Sequence, residues 1–157
     1  MSQTYLGATL SIATGIPATI DATGFAAMTW EAASVGTVSI GAMGDTHDTV
    51  PVPDITRRRT ITLKGGATGD VTPISFSRQR LTGGGLIAAQ AAFEAASAAL
   101  GQEYSIKVQE AGTNGAVHYL GGPIMNWKLS EMTTTSYAGF SAYVANNTGV
   151  VSVYEPA

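Results

Sequence analysis

Apolar residues occupy every second position in several segments of this chain, and this alternation limits the possible folds most strongly. The segments are Leu6, Ala8, Leu10 and Ile12; Ile74 and Phe76; Tyr104, Ile106 and Val108; Met125, Trp127 and Leu129; and Phe140, Ala142 and Val144. Successive side chains of a β-strand point to opposite faces, so each set lies on one face of a strand. The pattern predicts a mainly β fold in which each strand buries one face.

An alanine-rich run over residues 86–100 interrupts this alternation. Alanine is the strongest helix former, and Gly101 follows where a left-handed helix cap is expected. We predict one flanking helix over residues 86–100, with a polar stripe of Gln90, Glu94 and Ser97. Its bulky stripe, which we expect to pack on a sheet, consists of Leu86, Phe93 and Leu100. A shorter helical turn is predicted at residues 22–28.

Two turn sequences divide the C-terminal part of the chain. The sequence TNG at residues 113–115 predicts a hairpin, because Asn and Gly tolerate the positive φ angles of a type I′ turn. The sequence NNTG at residues 146–149 predicts a second turn, between the last two strands. Together these turns predict a meander of neighbouring antiparallel strands.

Residues 44–66, GDTHDTVPVPDITRRRTITLKGG, have glycines at both ends and contain Pro51 and Pro53. Two prolines so close together favour an extended segment outside the centre of a sheet. We predict a long protruding loop or β-arm whose return limb, residues 57–63, carries three consecutive arginines. One face of that limb is expected to hold Arg57, Arg59, Ile61 and Leu63, with Arg58 on the other face.

Charge is sparse in this chain and unevenly distributed. Only 12% of the 157 residues are charged, against about 25% in an average soluble domain. Residues 1–54 hold five acidic residues and no Lys or Arg, whereas residues 55–80 hold six basic residues and one acidic residue. A single domain with so few charges is poorly protected against association. We infer that copies of the same chain cover much of its surface.

Three uses of the basic segment remain open at this point. A basic run is commonly a solvated strand or loop face. Nucleic-acid binding is disfavoured by the acidic pI of about 5.2 and by the lack of aromatic residues among the arginines. The third use is pairing with an acidic patch on an identical neighbouring subunit, which a head-to-tail assembly can repeat.

Residues that commonly carry chemistry are few. Asp45, His47 and Asp48 could meet one cation, but no second histidine lies nearby, and we predict no metal site. Residues 83–85, GGG, lack the lysine and hydroxyl residue of a phosphate loop and are interpreted as a flexible entry to the helix. His118 is interpreted as a strand-face residue. Without a cysteine or a nucleophile elbow, the sequence predicts neither an enzyme nor a cofactor, and its interrupted apolar tracts predict no membrane span.

Residues 16–44, IPATIDATGFAAMTWEAASVGTVSIGAMG, place a short helix before a strand with a tryptophan and an S-I-G strand end. A basic limb, a strand, an alanine-rich helix and C-terminal hairpins follow. In this order the chain resembles, over most of its length, the major tail tube proteins of long non-contractile (siphophage-type) tails and related gene-transfer-agent tails. The residues that match are Asp21, Ala22, Gly24, Phe25, Trp30 and Ser39 to Gly41.

The resemblance implies a β-sandwich or barrel-like domain that forms sixfold rings. In that family the rings stack into a hollow tube through which double-stranded DNA passes without specific binding. Implied partners besides other copies of the chain are a tape measure protein, a tail terminator and distal tail or baseplate proteins. The implied location is the tail of a virion, after synthesis in the cytoplasm of a host bacterium.

The resemblance also implies that the segment 44–66 reaches the adjacent ring. Arginines on the lumen wall would retard DNA through phosphate contacts, so we expect them to meet acidic residues of a neighbouring subunit instead. Candidate acidic partners are Asp21, Glu31, Asp45, Asp48 and Asp54. Predicted contact residues are Asp45, His47, Asp48, Pro51, Pro53, Asp54, Arg57, Arg58, Arg59 and Lys64.

A second function class stays open from sequence alone. A β-sandwich can also serve as a carbohydrate-binding or adhesin module, with Trp30 or Trp127 as a stacking platform. That alternative requires an exposed tryptophan on a subunit that stays small, whereas the tube hypothesis requires buried tryptophans and large assemblies.

Overall fold

The structure, a computed structural model, describes residues 6–32, 36–79, 82–112 and 114–154. The elements in these ranges are, in chain order, β1 (Thr9–Thr14), α1 (Ala22–Ala26), β2 (Glu31–Ala32), β3 (Thr37–Ile40), β4 (Asp45–Asp54), β5 (Arg59–Gly69), β6 (Thr72–Ser77), α2 (Ala88–Ala98), β7 (Tyr104–Gln109), β8 (Val117–Gly122), β9 (Ile124–Leu129), β10 (Gly139–Val144) and β11 (Val151–Val153). Neither helix is long and apolar enough to span a bilayer.

The strands form three antiparallel sheets. Sheet A has the order β11-β8-β7-β1-β2, sheet B has the order β3-β6-β10-β9, and β4 pairs with β5 in a separate two-stranded sheet. Sheets A and B share one hydrophobic core, so they form a sandwich. The prediction of a mainly β, sandwich-like fold with a flanking helix and a protruding β-arm is confirmed.

The core consists of the alternating apolar residues on the inner faces of the two sheets. In sheet A, Ile12 lies opposite Ile106, which in turn lies opposite Leu120. In sheet B, Ile74 lies opposite Ala142. All five side chains are at least 96% buried and belong to one cluster. The period of two in the sequence therefore identified the residues that hold the sheets together.

In β9 the alternation fails. Asn126 has a φ of 57°, and the pairing of β9 with β10 shifts register there. A bulge of this kind moves the side chains on its two sides to opposite faces. Met125 consequently lies opposite the outward-facing Tyr143, whereas Trp127 stacks on Phe140 at 4.7 Å between ring centroids. The prediction that Met125, Trp127 and Leu129 share one face is wrong.

Helix α2 packs against β9 and β1 and closes that side of the sandwich. Its buried face includes Phe93, whose ring lies 5.0 Å from that of Phe76. Gln90, predicted on the polar stripe, is fully buried, because its amide donates to the Ser77 carbonyl (2.8 Å) and accepts from the Gln79 N–H (3.0 Å). Leu100, predicted on the packing stripe, lies beyond the helix end and is 96% exposed. Those two predictions were wrong.

Helix α1 covers part of the outer face of sheet A. Asp21 begins the helix as its N-cap and accepts a hydrogen bond of 2.7 Å from the Gly24 N–H. Phe25 is fully buried and stacks on Tyr119 of β8 at 5.1 Å. Burial raises the pKa of the Tyr119 phenol. The outer face of sheet A is thus a second, smaller apolar cluster with α1 over it.

The C-terminal connections differ in part from the predicted meander. The β7–β8 hairpin is present, but the Glu110 N–H bonds the Ala116 carbonyl, so the loop is longer than a type I′ turn. Thr113 of the predicted turn lies outside the described residues. Residues 146–149 do not form a hairpin, since β10 belongs to sheet B and β11 to sheet A. The chain passes from sheet A to sheet B between β8 and β9, and it returns to sheet A between β10 and β11. Because consecutive strands of a meander pair within one sheet, the predicted meander is wrong.

Truncating Phe93 tests the role of α2 in the core. Phe93→Ala leaves a cavity beneath Phe76, and we expect a loss of about 3 to 5 kcal/mol in unfolding free energy, measured by urea denaturation. The control is Leu100→Ala, which we expect to change stability by less than about 0.5 kcal/mol. Equal effects of the two variants would contradict this assignment of the buried face.

Candidate assembly interface

The pair β4–β5, with its connecting turn, forms a long hairpin that we call the arm (residues 45–69). It confirms the predicted β-arm but reaches further, because β5 continues through Gly65 and Gly66 to Gly69. The register runs from Asp45 opposite Gly69 to Asp54 opposite Arg59, with one irregularity around Asp48. Among the described residues neither strand joins sheet A or sheet B.

The root of the arm is fixed to the sandwich by Asn146. This side chain is 7% exposed and donates to the Gly44 carbonyl (2.9 Å) and to an Asp45 carboxylate oxygen (3.0 Å). Gly69 lies so close to the Asn146 backbone that a Cβ would clash with it. The arm therefore leaves the sandwich at a defined place.

One face of the arm is apolar and uncovered. The register places Val50 opposite Leu63 and Val52 opposite Ile61, and directly opposed residues share a face. We call these four residues the apolar stripe. Val50 is 46% exposed and Leu63 is 49% exposed. A sheet face of this kind is normally buried against another layer, and the described part of the chain supplies none.

The other face of the arm is polar or proline-bearing. It pairs Thr49 with Lys64, Pro51 with Thr62, and Pro53 with Thr60. The arm is thus amphipathic between residues 49 and 64. The basic limb was predicted from the sequence. The contribution of Val50 and Val52 to an apolar face was not, although their alternation with Pro51 and Pro53 could have revealed it.

The tip of the arm is a turn built around Asp54. Its carboxylate accepts hydrogen bonds from the backbone N–H groups of Thr56 (2.9 Å) and Arg57 (3.2 Å). The Arg57 Nε also lies 3.4 Å from the same carboxylate. Ile55 is 93% exposed at the extremity. The tip therefore presents an isoleucine beside a basic cluster.

The three arginines occupy three different environments. Arg57 and Arg58 lie in the turn and not on the return limb as predicted, since β5 begins at Arg59. Arg57 has an intrachain carboxylate partner, whereas Arg58 and Arg59 make no ion pair within the described ranges. Arg58 also has a φ of 53°, in the left-handed region that favours glycine.

The remaining predicted contact residues lie near the root. Asp45 and His47 are in β4 before the irregularity, Asp48 lies at it, and all three side chains are exposed. Over the described residues, no group of three His, Cys, Asp or Glu side chains is arranged to hold a metal ion. The arm thus carries all ten predicted contact residues, with the arginines at one end and the acidic root at the other.

His118 is half-buried on β8 and links three parts of sheet A. Its Nδ1 lies 2.8 Å from the Ser152 Oγ, and its Nε2 lies 3.0 Å from a Glu110 carboxylate oxygen. The ring also contacts the edge of Tyr154. These bonds tie β11 to the β7–β8 hairpin, which agrees with the interpretation of His118 as a strand-face residue.

The outer face of sheet B forms a second surface, over which the described elements place no covering layer. The register aligns one residue from each strand in a row across the sheet: Ser39, Ser75, Ser141 and Lys128. The edge strands of this sheet are β3 and β9. The row is hydroxyl-lined and carries one positive charge.

Neither tryptophan forms an exposed platform. Trp30 is half-buried, donates from Nε1 to the Phe25 carbonyl (3.0 Å) and lies beneath the Lys107 ammonium. Trp127 is half-buried against Phe76 and Phe140. This arrangement does not favour a carbohydrate-stacking site at either residue.

Comparison with known proteins finds solved structures with a similar fold. No protein-family model and no curated protein matches the sequence. A chain of the anti-feeding prophage (AFP) baseplate, determined by cryo-EM with 6-fold symmetrisation, superposes with a TM-score of 0.64 at 8% identity, covering 98% of this chain and 97% of that chain. A chain of the PVC sheath-tube complex, from an extracellular contractile injection system in its extended state, superposes with a TM-score of 0.60 at 11% identity, covering 98% and 92%. This chain therefore has the fold of components of phage-tail-like assemblies.

Replacing Arg58 by glycine tests the strain at the tip. A left-handed non-glycine residue costs about 1 to 2 kcal/mol, and glycine loses about 0.5 to 1 kcal/mol more backbone entropy on folding. We expect Arg58→Gly to stabilise the hairpin slightly and to slow amide hydrogen exchange in β4 and β5 about two- to fivefold. Arg59→Gly, at the start of a strand, should accelerate exchange instead. Faster exchange in Arg58→Gly would show that the backbone of Arg58 is not strained.

Proposed function

We propose that this protein is a structural tail protein that assembles into sixfold rings, and that the rings stack into a tube that conducts DNA to a host cell. The observation that carries the proposal is the free-standing arm, which exposes an apolar stripe outside a sandwich whose core is complete without it. A monomer gains nothing from such a surface, whereas an assembly buries it in every subunit.

The energetics favour the stripe over the arginines as the source of association. Fully burying a Val, Leu or Ile side chain contributes about 1.5 to 3 kcal/mol, and the stripe residues still expose part of theirs. An exposed ion pair contributes about 0 to 1 kcal/mol. Burial therefore drives assembly in this proposal. Arg58 and Arg59 orient it by meeting carboxylates of a neighbouring copy, and Arg58→Gly should raise the subunit concentration needed for assembly.

The fold comparison supports the same function. Both similar chains come from multi-subunit assemblies, one a 6-fold symmetrised baseplate and the other a sheath-tube complex. The superpositions span nearly the whole of this chain. A non-contractile tail remains a prediction, as do the tape measure, terminator and distal tail partners, because one of the two similar chains belongs to a contractile system.

Sheet B is proposed to form the tube wall. Its edge strands β3 and β9 lie on opposite sides of the sheet, so β3 of one copy can pair with β9 of the next and continue the sheet around a ring. The row Ser39, Ser75, Ser141 and Lys128 would then face the lumen. Apart from Lys128, this row consists of small hydroxyl groups, and one cation per subunit neutralises few phosphates, so passing DNA is held only weakly.

The direct test is electron microscopy of the purified chain in negative stain, together with sedimentation velocity over a range of concentrations. We expect rings or tubes with sixfold symmetry at high concentration. A monodisperse small particle at every concentration, with the arm protected from proteolysis, would overturn the proposal.

A charge within the apolar stripe should block assembly. Leu63→Glu places a carboxylate on the face that becomes buried, and we expect a folded subunit that stays small in sedimentation velocity. The matched control is Thr62→Glu, one residue away on the opposite face of β5, which should assemble nearly as the wild type does. Circular dichroism should show unchanged folding for both variants. Normal assembly of Leu63→Glu would contradict the role of the stripe.

Arginines added to the serine row should make the tube retain DNA. In Ser75→Arg/Ser141→Arg each subunit presents two new cations to the lumen, and every phosphate neutralised steepens the salt dependence of log K by about 0.9. Binding of a fluorescent duplex to assembled tubes, measured over a salt titration, should be tighter and more salt-dependent in the variant than in the wild type. Thr60→Arg/Thr62→Arg, on the arm, is the control with equal charge. Equal retention by both variants would place the serine row outside the lumen.

A further inference from the structure

The sandwich has one closed side and one open side. On the closed side α2 packs against β9 and β1. On the other side, between β3 of sheet B and β11 of sheet A, an open cleft of about 840 Å³ reaches the edge of the core. Interiors are normally packed with few voids larger than a water molecule. The described residues therefore leave the core uncovered at this opening.

The described residues that line the cleft include both apolar and polar side chains, and none of them is Asp, Glu, Lys or Arg. A bulge in β3 falls at Val38, where the pairing with β6 shifts, and leaves that side chain 53% exposed at the rim. His118, Ser152 and Tyr154 line the sheet A side. The apolar lining includes Leu10, Val38, Ile40, Met43, Val108 and Val150.

The chain itself carries a surface of matching chemistry. The apolar stripe of the arm (Val50, Val52, Ile61 and Leu63) holds branched aliphatic side chains and no charge. Lys64 lies on the opposite face of the arm, and the Asp54–Arg59 pair lies at the far end of the stripe. Seating the stripe against the apolar lining would therefore bury apolar groups on both sides, and the Glu110 carboxylate beside the cleft keeps His118 as its partner.

The arm is also long enough to reach a neighbouring copy. Its ten-residue strand β4 extends roughly 30 Å at about 3.3 Å per residue. A domain of this length has a radius of gyration of about 15 Å. An arm that leaves the sandwich at its root can thus cross to an adjacent subunit and lie along it.

We propose that the cleft between β3 and β11 receives the apolar stripe of a neighbouring copy's arm. Each copy gives one arm and receives another, a head-to-tail contact that can repeat around a ring or from one ring to the next. The inference rests on the proposed assembly and specifies which surface of the neighbour takes the arm. The contacts of the arm predicted from the sequence were electrostatic. The contact proposed here is apolar packing.

The exposed face of α2 is another surface, among the described residues, that could approach the cleft, and it fits less well. That face presents alanines with a carboxylate among them: Ala91, Glu94, Ala95 and Ala98. A methyl group is too short to fill a cleft of this depth, and an unfilled gap forfeits dispersion contacts. Glu94 would also be brought against an apolar wall without a partner.

Disulfide trapping tests the proposal directly, because the chain has no cysteine of its own. Val38→Cys and Leu63→Cys are prepared as separate single variants, mixed, assembled and mildly oxidised. We expect a disulfide-linked dimer only in the mixture, identified by mass spectrometry of the joined peptides. Thr62→Cys mixed with Val38→Cys is the control, since Thr62 lies on the opposite face of β5 and should give no dimer. Tyr154→Cys, on the other wall, replaces Val38→Cys if the latter misfolds.

The alternatives give different results in the same experiment. A dimer between Ala95→Cys and Val38→Cys, without one from Leu63→Cys, would show that α2 fills the cleft and would overturn the proposal. Protection of Val38→Cys from maleimide in dilute, unassembled subunits would show that the chain's own residues fill it, with the same consequence. Tubes in which Val38→Cys stays reactive would overturn this inference alone. Absence of any assembly would overturn the proposed function as well.

Discussion

The contact between Phe93 of α2 and Phe76 of β6 joins the helix to the sandwich, and the rest of the molecule depends on it. It closes one side of the core, and the buried Gln90 fixes the start of the helix to the end of β6 through two hydrogen bonds. With this side closed, the sandwich needs nothing from the arm for its own core. The arm is consequently free to serve another molecule, and the opposite side of the sandwich remains open to receive one.

Much of this architecture was predictable because strand periodicity is a local property. The alternation around Ile74, Ile106 and Phe140 predicted strands that the structure contains, and the proline-bearing segment predicted a hairpin outside the main sheets. The failures have non-local causes. Gln90 looks like a surface residue until the end of β6 supplies its partners. The face assignment in β9 depends on a bulge at Asn126, for which the sequence around it gives no glycine signal. Sheet membership of β10 and β11 depends on packing that no turn sequence specifies.

The candidate interface was half predictable for a related reason. Because few residues of this chain are charged, the three consecutive arginines led to the prediction of an interface on the arm. The residues that contribute more burial, Val50 and Val52, are inconspicuous because they stand between prolines and complete their stripe only when β5 is placed beside them. The intersubunit contacts of the arginines stay a prediction, and Arg57 already has a partner in Asp54 of its own hairpin. The apolar stripe thus becomes visible only when the register between β4 and β5 is known, and the sequence does not specify that register.

Pro51 and Pro53 affect how readily a foreign strand can add to the edge of β4. A proline has no N–H, and in a paired strand its missing donor faces the free edge. A foreign strand that adds to the edge of β4 would find two hydrogen bonds missing, so indiscriminate fibre growth along that edge is discouraged. The side-chain face of the arm stays available throughout. The hairpin therefore leaves its apolar face available for docking while its edge resists amyloid-like strand addition.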